Sequence, residues 1–499
     1  MIFLYLESLR DGRRLMDIAC RTTKPVLIFK SNIGRMGKAI AASHTAALSS
    51  DDRVADAAFK QADIERVHDA TSLLNNVKAL RLPPMRGKNL AIVSRSGGHA
   101  VVAADSSELS GFELAELPRP FLEEIEKHFR ASVIRLTNPL DLGDLFDLDV
   151  YAQILERTLQ LPNVDGVVFL HTASGTETQA SRDLLERVIE LVKRYDKPIA
   201  YYVSTTAGEV NHLRQTYGFP IFTAVVETIR AMEMSYRHYS RLQQMRTDEQ
   251  SPAFEVDRAA VRSLIAHARS EQRDLLLSES MQVLGHYRIP TALGVPATTV
   301  QEARRAAEQM GYPVAIKVIS EQISHKSDVG GVQLNLRNSP AVEEAFEDML
   351  NRIHLSYPGV KIDGVLVQPM VTGGQELILG GRQDPNFGPV VLIGLGGIFV
   401  EVLEEVSLRV APITPREARE MIDELRGAPI LKGARGHKPS DVAAVSEALL
   451  RLSQLLVDFP EIRELDINPL RVFQENDGCR ALDARIIIRS SGDSQPQVR

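Results

Sequence analysis

Leu465-Asp-Ile-Asn-Pro-Leu-Arg-Val-Phe473 and Arg480-Ala-Leu-Asp-Ala-Arg-Ile-Ile-Ile488 are two apolar-rich runs flanking Asn476-Asp-Gly478, a tight-hairpin signal. With Asn476-Asp477 as the two-residue turn, Asp483 faces Leu470; with Asp477-Gly478 as the turn, it faces Val472. Either register leaves an even separation from Asn468, so Asn468 and Asp483 share one face of an antiparallel pair. Two oxygen donors amid apolar neighbours suit Mg²⁺ carried by a nucleotide. A polar hairpin with a solvated Asp is the alternative.

Working back from the hairpin, Tyr312-Pro-Val-Ala-Ile-Lys-Val-Ile319 reads as a strand with one buried-side lysine. A lone buried ammonium is costly, so Lys317 requires an anion, either a nucleotide phosphate or a structural carboxylate. Ile323-Ser-His-Lys-Ser-Asp-Val-Gly-Gly-Val332 follows as a loop between strands, bearing His325 and Lys326, whose backbone N–H groups can fold over phosphates. Leu366-Val-Gln-Pro-Met370 and Gln375-Glu-Leu-Ile-Leu379 read as strands around a Thr-Gly-Gly turn, and Gly394-Leu-Gly-Gly397 reads as a loop.

The front of the chain has a different grammar, in which strands alternate with helices and hairpin signals are missing. Ile2 to Leu6 is a short strand ending at Glu7, Arg10 to Cys20 an amphipathic helix, and Pro25 to Phe29 a second strand. A Gly- and Lys-bearing loop then enters Ala-Ser-His44-Thr-Ala-Ala-Leu, where Ser43 can cap a helix and expose His44 to its positive end. A neutral imidazole there can carry a phosphoryl group. Glu7, at the same strand edge, can fix its tautomer; a polar first-turn His and a solvated Glu are the bland readings. Leu82-Pro-Pro-Met-Arg-Gly-Lys88 marks a domain boundary. Beyond it, Asn89-Leu-Ala-Ile-Val-Ser94, Arg95-Ser96-Gly97-Gly98-His99 and a helix to Leu109 form a strand, glycine loop and helix able to hold an anion.

This pattern predicts an α/β protein with two doubly wound domains at 1–84 and 88–235 and a solvated linker at 236–274, partly helical over 257–268. A nucleotide domain at 275–489 and a disordered tail at 490–499 complete it. At 499 residues several cores are expected. A formal charge of −7 argues against nucleic acid as a partner, and no apolar run is long enough to span a membrane. Only Cys20 and Cys479 occur, far apart, which fits a reducing, cytoplasmic setting.

Taken in order, Tyr-Leu-Glu7, Ala-Ser-His44-Thr-Ala-Ala-Leu, Ser-Gly-Gly98, Asn138-Pro-Leu-Asp, His325-Lys-Ser-Asp-Val-Gly-Gly, Gly394-Leu-Gly-Gly and Asp466-Ile-Asn-Pro-Leu resemble the NDP-forming acyl-CoA synthetases of the succinyl-CoA ligase superfamily, the group that includes ADP-forming acetyl-CoA synthetases. The resemblance implies that the first two domains are flavodoxin-like and the last is an ATP-grasp domain. It also implies an acid–thiol ligase that interconverts acyl-CoA, ADP and phosphate with a carboxylic acid, ATP and CoA, using Mg²⁺. By the same resemblance His44 is the phosphohistidine, Glu7 steadies it, and His325 is a second carrier beside the nucleotide. Ser96, Gly97 and Gly98 hold phosphate, and Lys317, Lys326, Gln368, Met370 and Glu376 bind the nucleotide, with Asn468 and Asp483 as the metal pair. Relatives carry a CoA-binding domain ahead of the position of Glu7, which leaves three alternatives: a separate CoA-binding subunit supplies it, the start is misplaced, or acyl-CoA is no longer made. Relatives are assembled from several subunits, which implies an oligomer. Ala46 stands where the family has glycine. A regulatory ATP-binding protein without ligase activity is the competing expectation.

Overall fold

The computed structural model describes residues 1–34, 51–128, 136–143, 145–173, 175–244, 249–323, 326–396, 405–434 and 438–488. They divide into two compact units, one of residues 1–8, 18–47 and 62–248 and the other of 9–17, 48–61 and 249–499.

The first unit holds two parallel sheets. β1 (Ile2–Leu6), β2 (Val26–Lys30) and β3 (Ile64–Arg66) lie side by side in chain order. β4 (Asn89–Ser94), β5 (Glu113–Leu114), β6 (Leu140–Asp141), β7 (Gly166–Thr172), β8 (Ile199–Ser204) and β9 (Ile221–Phe222) form the second sheet, in the order β5-β4-β7-β8-β9 with β6 alongside β4. Val167 to Leu170 on its central strand are fully buried, because helices cover both faces. Helix Gly97–Leu109 packs Ala103 against Leu90, Ile92, Val168 and Leu170. Helix Thr178–Tyr195 sets Leu184, Leu185 and Val188 against Ala91, Val93, Phe169 and Tyr201 on the opposite face. The chain leaves β4 to one side for β5 and returns on the other for β7. That reversal opens a crevice at the carboxyl ends of β4 and β7, where open α/β sheets take their ligands.

Leu82 and Met85, at the expected domain boundary, join Ala79 in the core of the second sheet. Helix Val225–Gln244 runs past residue 235 without a break. In the second unit, helix Arg258–Ser270 buries Val261, Ile265 and Ala268, so only part of 236–274 is a solvated stretch. The helix lies at its expected position, and its many charged residues concealed only its one apolar stripe.

The second unit carries two antiparallel sheets. β10 (Val295–Ala297), β11 (Val314–Ile319), β12 (Val332–Leu336) and β13 (Gly364–Pro369) pair in the order β10-β13-β11-β12. β14 (Gln375–Asp384), β15 (Gly388–Leu395), β16 (Val406–Val410), β17 (Ile462–Val472), β18 (Cys479–Ala481) and β19 (Ala484–Ile488) form the other sheet. Gly394 and Leu395, expected in a loop, extend β15. Helix Val442–Asp458 buries Leu449, Leu452, Leu455 and Leu456 in the core of this unit, together with Leu465, Ile467 and Leu470 of β17. β16 is the edge of the sheet, and helix Asp52–Gln61 covers it. The Gln61 amide donates to the Val410 carbonyl and accepts from the Val410 N–H, both at 2.9 Å, replacing the strand that an edge lacks. Lys60 adds a 2.7 Å ion pair to Glu424.

Candidate functional site

The hairpin of β17 and β18 has a longer loop than either expected turn. Phe473 N–H donates to Gly478 O, so Gln474 to Asp477 form a four-residue connection, with Asn476 and Gly478 at positive φ of 70° and 79°. Both expected registers are therefore corrected. Leu470 faces Ala481 and Ile467 faces Ala484, which puts Asn468 directly opposite Asp483, the Asn468 N–H reaching Asp483 O at 3.3 Å. The even spacing survives because lengthening the loop by two residues shifts the register by two and leaves the shared face unchanged. At this point β18 gives way to β19, and the pair lies on the side away from the core.

Lys317 and Lys326 converge on the same carboxylate. Lys317, 7% exposed on the central strand β11, donates to Leu482 O at 2.6 Å and lies 3.8 Å from Asp483 Oδ2. Lys326 Nζ is 3.0 Å from Asp483 Oδ1. Burial pushes the Lys317 ammonium below its ordinary pKa, Asp483 pulls it back up, and Lys326 pushes it further down. Glycines bring the loop this close: Gly330 has φ of 68°, and a Cβ on Gly331 would come within 2.6 Å of Val318 Cγ1. Both readings of Lys317 thus meet in one group, since its carboxylate partner is also the expected metal ligand.

The donors fit a nucleotide-borne Mg²⁺ better than a resident metal. Among the described residues no group of three or more His, Cys, Asp or Glu could hold an ion. One carboxylate and one amide oxygen, facing each other, suit a hydrated Mg²⁺ whose remaining ligands are phosphates and water. Arriving phosphates can take the two ammoniums, which frees the Asp483 oxygens for the cation.

Other expected nucleotide residues have other partners. Gln368, 2% exposed, gives its amide to Ala292 O at 2.9 Å. Met370 N–H donates to Pro313 O, and Glu376 pairs across strands with Arg471 at 2.7 Å. His325 and His44 lie outside the described residues, as do Ala46 and the tail. Glu7 is exposed just past β1, and its carbonyl accepts from the Asn32 side-chain amide. Ser96 precedes the helix that starts at Gly97 and carries no side-chain cap. A Cβ on Gly97 would come within 2.6 Å of Asp141 Oδ2, so glycine admits that carboxylate to the helix start.

Comparison with known proteins gives this geometry its context. Residues 267–488 match the ATP-grasp domain family, and residues 1–80 the family described as succinyl-CoA ligase like flavodoxin domain. The chain is 35% identical over 496 residues to 4-hydroxybutyrate-CoA ligase (ADP-forming) of Nitrosopumilus maritimus, covering 97% of this chain and 70% of that protein. It belongs to the ADP-forming acyl-CoA ligases. Acetate-CoA ligase (ADP-forming) I of Archaeoglobus fulgidus is also 35% identical, over 98% of this chain and 70% of its own length. The beta subunit of acetate-CoA ligase (ADP-forming) I from Pyrococcus furiosus is 42% identical over 47% of this chain and all of its own length.

In this ligase two groups escaped sequence reading. Asp466 is pushed up to about 6, first by burial and then by the charges of Asp483 and Glu464. Its alternation with Asn468 along β17 was a usable signal. Arg95 precedes the glycine loop, and nothing in its spacing distinguishes it. No helix among the described residues is long and apolar enough to cross a membrane.

Proposed function

We propose that this chain carries the phosphoryl-transfer machinery of an ADP-forming acyl-CoA ligase. It interconverts acyl-CoA, ADP and phosphate with a carboxylic acid, ATP and CoA. The observation that carries the reading is the convergence of Lys317 and Lys326 on Asp483, opposite Asn468. Two ammoniums and two facing oxygens are the complement of a Mg²⁺-bound polyphosphate.

In this reading Lys317 and Lys326 bind phosphate oxygens and orient the nucleotide, while Asn468 and Asp483 would hold Mg²⁺, which spreads the charge developing on the transferred group. His44 takes the phosphoryl group, with His325 as an intermediate carrier at the nucleotide. Glu7 keeps the His44 imidazole in the attacking tautomer. Ser96, Gly97 and Gly98 receive the phosphoryl oxygens at a helix start in the acid-side crevice. Phosphorus passes from there to a carboxylate, forming an acyl phosphate that CoA then attacks.

CoA binding is assigned to polypeptide outside residues 1–499. The 30% of the Nitrosopumilus ligase that this chain leaves uncovered supports that assignment, and the occurrence of a relative as a separate beta subunit supports a partner subunit as its carrier.

Incubation with γ-labelled ATP and Mg²⁺ tests the reading. The expected product is acid-labile, base-stable label on the wild type and none on His44→Ala. A wild type that takes no label, though it binds ATP, would favour a regulatory nucleotide-binding role.

A further inference from the structure

Arg95 sits at the reversal point of the second sheet, directly after β4 and immediately before Ser96 and the helix that starts at Gly97. Its backbone N–H donates to Leu170 O at 3.0 Å, and its guanidinium crosses the crevice to the end of β7, donating to Thr172 O at 2.9 Å. The side chain is 9% exposed and lies over the Tyr151 ring, with Cζ 5.5 Å from the ring centroid.

The fork of this guanidinium faces a carboxylate, but loosely. Both arms reach Glu177 at 3.3 Å. Comparable pairs in the same chain are tighter: Arg182 holds Glu209 at 2.8 and 2.7 Å, and Arg273 holds Glu279 at 2.6 and 2.8 Å. A nearly buried guanidinium with a slack partner can exchange that carboxylate for a better-fitting one, because the planar fork matches any carboxylate bidentately. The neighbouring imidazole adds no competing charge. His171, wholly buried and sharing a 3.0 Å hydrogen bond between Nε2 and Ser181 Oγ, is held neutral by burial and by the charge of Arg95. Close by, His171 Nδ1 and the Tyr201 hydroxyl are buried without hydrogen-bond partners. Such atoms mark a place where water or a ligand completes the bonding.

Resting on the ligase reading above, we propose that Arg95 is the residue that anchors the carboxylate of the acid substrate, with Glu177 occupying its fork when the crevice holds no acid. The helix start at Ser96, Gly97 and Gly98 then receives the phosphoryl group while Arg95 holds the acceptor beside it. One carboxylate oxygen attacks phosphorus, a P–O bond forms as the P–N bond of phosphohistidine breaks, and the electron pair returns to the imidazole nitrogen. The products are an acyl phosphate and the free histidine.

The test separates this claim from the reading it rests on. Phosphoenzyme made from γ-labelled ATP is freed of nucleotide and chased with ADP or with acetate, 4-hydroxybutyrate or ferulate. The expected result is that ADP discharges wild type and Arg95→Ala alike. With the acid that discharges the wild type, Arg95→Ala slows about tenfold or more at low acid concentration and recovers at high concentration. Arg95→Lys, which keeps the charge and loses the fork, falls between them, and Glu177→Gln discharges at lower acid concentration than wild type. Acid discharge of Arg95→Ala at the wild-type rate overturns the proposal. So does wild-type label that ADP removes and none of the three acids removes. Absence of label on the wild type overturns the ligase reading instead.

Discussion

Replacing Asp483 with Asn tests whether one carboxylate organises the nucleotide end. The change preserves shape and leaves an acceptor for Lys326, but it strands two ammoniums that are mostly sealed from water, with side-chain exposures of 9% for Lys317 and 14% for Lys326. At an effective dielectric of about 20, opposite charges near 4 Å attract by about 4 kcal/mol. Solvation of the freed charges returns part of that, and losing one member of a buried ion pair typically costs about 3–5 kcal/mol. The retained amide acceptor argues for the low end, about 3 kcal/mol. For a unit of this size about 2–4 °C is lost per kcal/mol, which gives a fall of about 6–12 °C in the melting temperature of the second unit. Calorimetry without ligand measures it. Titration with ATP in EDTA and in excess Mg²⁺ supplies the second half: Mg²⁺ strengthens ATP binding in the wild type and does so no longer in Asp483→Asn. A variant that melts within about 1 °C of wild type and keeps its Mg²⁺ dependence would show that the two lysines do not depend on this carboxylate.

Two further outcomes concern neighbouring elements. The Asp466 carboxyl titrates at about 6 rather than 3.8, so its contribution to stability is complete below 3.8 and is lost as pH rises through 6. Asp466→Asn should therefore raise stability at pH 8 by on the order of 3 kcal/mol and leave it unchanged at about pH 3.5, read from urea midpoints at the two pH values. Gln61→Ala should leave the N–H and carbonyl of Val410 uncapped on an edge strand, at a cost of about 1–3 kcal/mol, with faster hydrogen exchange at Val410 as the local readout.

Much of the architecture was legible because it rests on local periodicity. Short, continuous apolar runs such as Leu90 to Val93 and Val167 to Leu170 suit strands buried on both faces of a parallel sheet, and the Thr-Gly-Gly and Asn-Asp-Gly signals mark reversals that parallel sheets do not contain. Helix Arg258–Ser270 was half legible: its position was clear, but its charged residues concealed the stripe of Val261, Ile265 and Ala268 that seats it.

The sequence alone determined that Asn468 and Asp483 share a face, since side chains on a strand alternate with period two and any even change in loop length preserves the match. It also determined that Lys317 needs an anion, because solvation energy forbids a bare buried ammonium. Only the tertiary structure decided which anion. Lys326 and Asp483 stand 157 positions apart, and Gln61 and Val410 349, so no local spacing encodes either contact. The slack fork between Arg95 and Glu177 belongs to the same class. Its length is set by where β4 and β7 end relative to the helix that follows Glu177, a distance that packing fixes and spacing along the chain does not.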